Sequence, residues 1–471
     1  MKTNHQDDIK VIDKLIDRAR IAQHEYELKG SQKLFDLATQ SVAWVVMEPE
    51  RNQFLSELAV SETKLGNVQD KIKKNHNKTL GLMRDLKEKK TFGLISEDTE
   101  KGLSDYLRPK GVIAAIVPST NPIATPINNI INALKTGNAI ILAPSPKGAN
   151  PLKILLELIH NEFEKINIPK DLVQMVTIPP SKQKTQHLMK QADLLVITGS
   201  QNNVRSGYES GTPAIGVGMG NVVTIVDETA NIKEAAQKIS ASKTFDNATS
   251  CSSENSIVAV DQVYDDLIKE LSKCGGYLLS DMQAKTLESI HWEKGKIAPN
   301  LIAQDINVIL KSMSLKQLAP KNTKFLIVPT YGTGPDHPLS GEKMALFLSI
   351  YREPNFDSAA KKAIEIQNYQ GAGHSLGLHS KLNSRAEYLA MNARTCRVIV
   401  NQAHCFATGG FFNNGLPFSL SMGCGSWGKN SIDDNLNWTH FVNRVRIARV
   451  IPPNKPELDD IFSDYWQEHG K

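Results

Sequence analysis

Between residues 111 and 226 the chain alternates between continuous apolar runs and amphipathic segments. The runs at 111–118, 138–144, 173–178 and 193–198 have strand length. Helix-like spacing fills 123–135, 151–166, 182–191 and 202–209, and 214–226 again reads as β. A strand apolar on both sides must be covered on both faces, and helices placed between such strands supply the cover. The pattern therefore predicts a doubly wound α/β fold with a parallel sheet. Such a sheet binds ligands outside the carboxyl ends of its strands. Those ends are Pro118-Ser119-Thr120-Asn121-Pro122, Ala143-Pro144-Ser145-Pro146-Lys147 and Thr198-Gly199-Ser200. All are rich in hydroxyls, turns and helix starts, which suits a phosphate-bearing cofactor.

A second alternation begins with a helix over 232–243. Strands are expected at 256–260, 324–329, 345–350, 374–378 and 397–400, with helices at 263–273, 356–367 and 384–392. This predicts a second α/β domain. The first 90 residues carry apolar positions at three- and four-residue spacing and predict helices over 10–29, 31–46, 50–59 and 68–89. Residues 91–110 read as an arm outside the main core, 404–430 as a long functional loop, and 441–450 as a terminal strand. The expected division is 1–226 for the helices and a cofactor-binding domain, 227–405 for a domain bearing a reactive thiol, and 406–471 for a loop returning to the first domain. A chain of 471 residues can bury the cores this requires.

Net charge is +5, from 55 basic and 50 acidic residues. That balance is too mild to suggest nucleic acid, and the densest basic stretch, 71–78, reads as a solvated helix face. Five cysteines, an odd number with no C-x-x-C pair, argue against a disulfide framework and a structural zinc site. No run of eighteen apolar residues and no apolar leader core occurs, so no membrane span or secretion is expected. A reducing cytoplasm fits, and there a thiol stays available.

Cys251 lies in a run of small and polar residues over 245–255, with no apolar neighbours to be buried among. A loop thiol between ordered elements can meet substrate; the bland alternative is an inert loop cysteine. Asn121, at a strand end before a helix, is either a helix cap or an amide donor to a developing oxyanion. Glu342 is a cap, a solvated side chain or a partner for a ribose hydroxyl. His374, after glycines at a strand start, is an acid–base group or a structural histidine. Residues 423–428 match G-x-G-x-x-G, but no βαβ unit follows, which favours a tight turn near the site.

Taken in order, residues 111–122, Ser145-Pro146-Lys147, Cys251 in its Ser250–Asn255 setting, Leu339–Lys343, Gly371–His374 and Met422–Gly428 resemble the CoA-acylating aldehyde dehydrogenases. That family includes the aldehyde half of bifunctional aldehyde–alcohol dehydrogenase. Glu62–Lys71 resembles its N-terminal helical signature, and the likeness runs from about residue 55 to the C-terminus. Within the family, 67–79 and 408–418 most resemble acylating sulfoacetaldehyde dehydrogenases, and acylating succinate-semialdehyde enzymes share much of this.

The resemblance implies two doubly wound domains, a small oligomerisation arm and a homodimer or homotetramer. It implies that Cys251 attacks an aldehyde and carries a thioester, while Asn121 and the backbone N–H at Cys251 stabilise the oxyanion. NAD or NADP would take the hydride, with Glu342 on the nicotinamide-side ribose and Gly199 and Ser200 on the pyrophosphate. Coenzyme A would collect the acyl group. Hydrolytic relatives carry a water-activating glutamate where this chain has Gly216–Asn221, and losing that base leaves the thioester to a better nucleophile. Ala143 replaces a lysine that commonly meets the adenosine ribose, so Ser145 and Lys147 become candidates for a 2′-phosphate, which favours NADP. Arg394, Arg397, His404 and Lys429 are candidate partners for a charged substrate tail. Hydrolytic oxidation, acyl-phosphate reduction and a catalytically silent assembly protein remain the alternatives.

Overall fold

The computed structural model describes residues 5–293 and 296–471. Four helices open the chain: α1 (His5–Leu28), α2 (Gln32–Met47), α3 (Pro49–Thr63) and α4 (Val68–Leu86). Their starts have local causes. Ser31 and Asn67 accept from the backbone N–H groups of Leu34 and Asp70, and Glu48 with Pro49 opens α3. Ile12, Phe35, Val42, Leu55 and Leu82 from these helices enter one core with the first sheet.

That sheet contains β3 (Val112–Val117), β4 (Ala139–Pro144), β5 (Val173–Met175), β6 (Leu194–Ile197) and β7 (Ala214–Gly216). All its pairings are parallel and the order is β5-β4-β3-β6-β7. Strand order reverses between β3 and β6. The crevice at such a switch point is where an open α/β sheet takes its ligand, and here it is flanked by residues 118–121 and 198–200.

The second sheet is also parallel. It holds β8 (Val222–Val226), β9 (Glu254–Val260), β10 (Gly276–Leu278), β13 (Phe325–Pro329), β14 (Phe347–Glu353), β15 (Leu376–His379) and β16 (Val398–Val400), in the order β10-β13-β14-β9-β8-β15-β16. A two-residue pair, β11 (Trp292–Glu293) and β12 (Lys296–Ile297), stands apart from it. The continuous β stretch expected over 214–226 is in fact divided. β7 ends in the first sheet and β8 begins in the second, so the chain crosses at 217–221, before the break expected at 226. At the crossing the backbone runs against the thiol loop, where only glycine fits: a Cβ on Gly220 would lie 2.1 Å from the Cys251 carbonyl oxygen.

β1 (Gly93–Asp98), β2 (Leu103–Pro109) and the terminal strand β17 (Val442–Ala448) form a separate antiparallel sheet, order β1-β2-β17. Arg446 fastens it through a two-pronged bond to Asp105 at 2.7 and 2.8 Å. The long segment after 404 returns to the first core, where Phe418, Leu436 and Phe441 are buried. An exposed helix spans Leu458–His469, a segment for which the sequence pattern predicts no element. Among the described residues no helix is long and apolar enough to cross a membrane.

Candidate active site

The thiol loop joins the helix Ile232–Thr244 to β9. Asp246, Asn247 and Ala248 take φ values of 50°, 52° and 59° in succession. Such values are costly for non-glycine residues and persist only where the surroundings over-determine them. Here α4 does so. The buried Asp246 carboxylate accepts from the Asn67 N–H at 2.9 Å, Lys71 Nζ at 3.1 Å, Lys74 Nζ at 2.5 Å and Thr249 Oγ1 at 2.7 Å. Its backbone N–H donates to Asp70 at 2.8 Å. Burial works to raise the Asp246 pKa, but Lys74 and Lys71 overcome it and hold the carboxyl below its usual range.

This corrects the solvated-face reading of 71–78. Lys71 and Lys74 are one helical turn apart on the inward face, and Lys78 continues it; only Lys73 points out, its side chain 65% exposed. Asn121 is not a cap either, because the helix after it, α5 (Ala124–Lys135), has Ile123 at its N-cap and no side-chain cap bond. Instead Asn121 Oδ1 accepts from Lys74 Nζ at 2.8 Å, which leaves its amide N–H groups for other partners.

A cavity of about 320 Å³ opens between the two sheets. Cys251, Thr120, Asn121, Gly199, Ser200 and Glu342 share its wall. The half-buried Cys251 thiol is pushed up to about 12 by burial, then by the charge of Glu342 and by Cys424. Burial likewise pushes Glu342 up to about 8, against the Gly220 N–H and Lys343, which pull it down. Lys343 Nζ donates at 3.0 Å to both the Gly341 and Asn255 carbonyls, tying the Glu342 segment to the thiol loop. The crossing segment brings Val217, Gly218, Met219 and Gly220 to the wall, and none bears a carboxylate.

Other expected residues sit elsewhere. Ser119 precedes Thr120 at the edge of the cavity without lining it. Ser145 and Lys147 follow β4, whose Pro144 is level with Val117 of β3, on the same carboxyl edge. Lys147 is exposed, while Ser145 Oγ is buried without a hydrogen-bond partner. Ser200 caps the helix Gln201–Tyr208. His374 does not line the cavity. It is 1% exposed, contacts Ser375 Oγ at 2.7 Å through Nδ1, and burial pushes it down to about 3, so it is neutral; Nε2 has no partner. Residues 423–428 form a tight turn, with Gly425 at φ 57° and the Gly428 N–H returning to the Cys424 carbonyl at 3.0 Å.

Asp246, Lys74 and Lys78 went unrecognised as parts of the site. Their signal was the i, i+3, i+7 spacing of Lys71, Lys74 and Lys78, which puts three cations on one helix face.

Residues 50–275 match the aldehyde dehydrogenase family model. An acylating sulfoacetaldehyde dehydrogenase of Cupriavidus necator is 50% identical over 457 residues, covering 97% of this chain and 92% of that protein. The acetylating aldehyde dehydrogenase of Geobacillus thermoglucosidasius superposes with a TM-score of 0.92 at 30% identity, covering 97% of this chain and 100% of that one. The propionaldehyde dehydrogenase of Rhodopseudomonas palustris, solved with bound propionyl-CoA, gives 0.83 at 26% identity over 93% and 94% of the two chains. With fold, cleft and relatives in agreement, the chain belongs to the aldehyde dehydrogenase family.

Proposed function

We propose that this protein is an NAD(P)-dependent, CoA-acylating aldehyde dehydrogenase acting on a short anionic aldehyde, sulfoacetaldehyde foremost. The reaction converts aldehyde, CoA and NAD(P)⁺ to acyl-CoA, NAD(P)H and a proton. One observation carries the reading: a single cavity joins Cys251 to the strand ends of the first sheet, and its 217–220 wall offers the thiol no carboxylate. The C. necator relative supports the substrate, and the R. palustris relative supports CoA.

Cys251, as thiolate, adds to the carbonyl carbon. Asn121, its Oδ1 held by Lys74, donates an amide N–H to the resulting oxyanion together with the Cys251 backbone N–H. A nicotinamide supplies the hydride acceptor when bound. The orphaned Ser145 Oγ and the helix start at Gly199 and Ser200 fit a phosphate-bearing cofactor, with Lys147 alongside for a 2′-phosphate and Glu342 for a ribose hydroxyl. Cys251 is left holding a thioester. Hydrolysis needs a positioned base, whereas the thiol of CoA is a strong nucleophile, so the acyl group passes to CoA and Cys251 is released. His374 is buried and neutral, which suits a role in holding the Gly371–Ser375 turn rather than in moving protons.

The arm sheet, with Val445 and Ile447 exposed, serves self-association as a homodimer or homotetramer. A mildly charged chain with free cysteines suits the cytoplasm. The test is a panel of sulfoacetaldehyde, succinate semialdehyde and acetaldehyde with each nicotinamide, with and without CoA. NAD(P)H formation should depend on CoA and be fastest with sulfoacetaldehyde. Production of the free acid without CoA would refute the acylating reading.

A further inference from the structure

Beside Asn121 the thiol cavity opens into a side chamber, and Lys78, Asn121, Ser250, Cys405 and Leu420 belong to both spaces. The chamber leads away from Gly199 and Ser200, which do not line it. Aromatic rings form much of its wall. Phe406 meets Phe245 edge-on at 4.8 Å and Phe411 at 5.7 Å, and Phe418 lies under Lys78 Nζ at 5.4 Å. A chamber of this composition would suit a neutral chain were it not for its lysines.

The charges there do not balance. Lys71 and Lys74 share the single carboxylate of Asp246. Lys78 donates to the carbonyls of Gly409 and Gly410 at 2.8 and 2.9 Å, and among the described residues it has no ion pair. The nearby Asp85 carboxylate is engaged by the Phe418 N–H and by Arg84. An ammonium has three donors, so Lys78 keeps one. A cation removed from water without a counter-charge is costly, and burial already pushes Lys78 down to about 8. An anion entering the chamber would relieve that cost.

Lys73 also lines the chamber, but its side chain is 65% exposed and paired with Asp70 at 3.8 Å, so it stays in water; the remaining candidates for a charged tail are absent from the wall. Arg397 donates to Asn435 Oδ1 at 2.9 Å and to the Gly423 and His374 carbonyls at 2.8 and 3.0 Å, bracing the 423–428 turn. His404 lines neither space; its Nδ1 is taken by the Ser252 carbonyl and Thr408, and burial pushes the ring down to about 4, so it carries no charge for an anion. Neither Arg394 nor Lys429 lines the cavity or the chamber.

We infer that Lys78 binds the anionic tail of the aldehyde in this chamber and sets the preference for charged over neutral substrates. The inference rests on the acylating reading above. The ligand chemistry is a compact anion, sulfonate or carboxylate, a short way from the carbonyl carbon held at Cys251.

The experiment compares kcat/KM for sulfoacetaldehyde, succinate semialdehyde and propionaldehyde in the full-length wild-type, Lys78→Met and Lys78→Arg proteins. In Lys78→Met the ratio of sulfoacetaldehyde to propionaldehyde should fall about 30-fold or more, mainly through KM, as expected for removing one partner of a desolvated charge pair. Lys78→Arg should restore part of it. The succinate semialdehyde arm shows whether the chamber takes carboxylate as well as sulfonate, and a fall in its ratio also supports the inference. An equal loss for charged and neutral aldehydes would make Lys78 a prop for the 409–410 turn and overturn the inference, as would no change at all. Wild-type protein that shows no preference for anionic aldehydes would remove the functional reading and this inference with it. Should Lys78→Met not fold, wild-type protein still decides: 2-hydroxyethanesulfonate should compete with the aldehyde and slow alkylation of Cys251, while 1-propanol should not. Absence of competition overturns the inference.

Discussion

The two walls of the cleft are held in opposite ways. On the thiol wall, three consecutive residues in left-handed conformation are locked by one carboxylate with four bonds to separate partners. On the strand-end side, beyond the residues that line the cavity, the turn after β4 leaves Ser145 Oγ unpartnered and Lys147 in solvent. On the proposed function the thiol wall places a nucleophile against a carbonyl, and fixed geometry is how such a group gains rate. On the proposed function the strand-end side accepts and releases a large cofactor, which would complete its polar groups in place of the protein. The protein thus concentrates its internal bonds around the thiol and leaves them open at the strand ends, the distribution that the proposed function requires.

If that contrast holds, damage to the thiol wall should dominate. Cys251→Ala should lower CoA-dependent turnover by about 10⁴-fold or more, as deletion of a nucleophile does elsewhere. Quenching of protein fluorescence by NADP should persist in that variant, since the facing wall is untouched. Retained turnover would break the comparison at its root.

Asp246→Asn attacks the lock itself. It leaves Lys71 and Lys74 buried without a counter-charge, and unfolding in urea should show a loss of about 3–5 kcal/mol. Because the Asp246 pKa is held down in the folded state, its contribution is fully present above the ordinary carboxylate range and fades as pH falls through the folded value. The wild-type advantage should therefore shrink in acid. A difference under about 1 kcal/mol at neutral pH, at the level of an exposed ion pair, would show the loop to be held by something else.

The contrast also explains what could be read from the chain. The strands at 112–117 and 139–144 were legible because full burial demands unbroken apolar runs, and the helix 182–191 because its spacing is local. Cys251 stands out because its sequence neighbours are small and polar, although residues distant in sequence bury the thiol in the fold. Lys71 and Lys74 were misread as solvated because their partner, Asp246, is more than 170 residues away, and a helix face shows polarity without showing what lies against it. The stretch 214–226 was read as one piece because an apolar run does not record which sheet each half joins. His374 drew attention through its glycines, yet burial, which sets its charge state, is a tertiary property.

Asn121 sits where the two walls meet, and its substitution measures how far the lock reaches across. Asn121→Ala should lower kcat by about 10²–10³-fold with little change in KM for the nicotinamide, as loss of one oxyanion donor does. A change confined to KM would place Asn121 in binding instead.

The smallest effect tests the electrostatics between the walls. Glu342, pushed up to about 8, is mostly protonated at pH 7, where it puts little charge on the thiol. Above pH 8 it ionises, and its carboxylate then opposes formation of the Cys251 thiolate. Glu342→Gln removes the charge but not the shape. Alkylation of Cys251 by iodoacetamide, followed by mass spectrometry, should run at equal rates in the two proteins at pH 7. At pH 9.5 the variant should be faster, on the order of 3-fold, because only the wild type has gained a negative neighbour. A ratio that stays flat between these pH values would mean that Glu342 does not act on the thiol, and that the walls are coupled through Asn121 and its lysine alone.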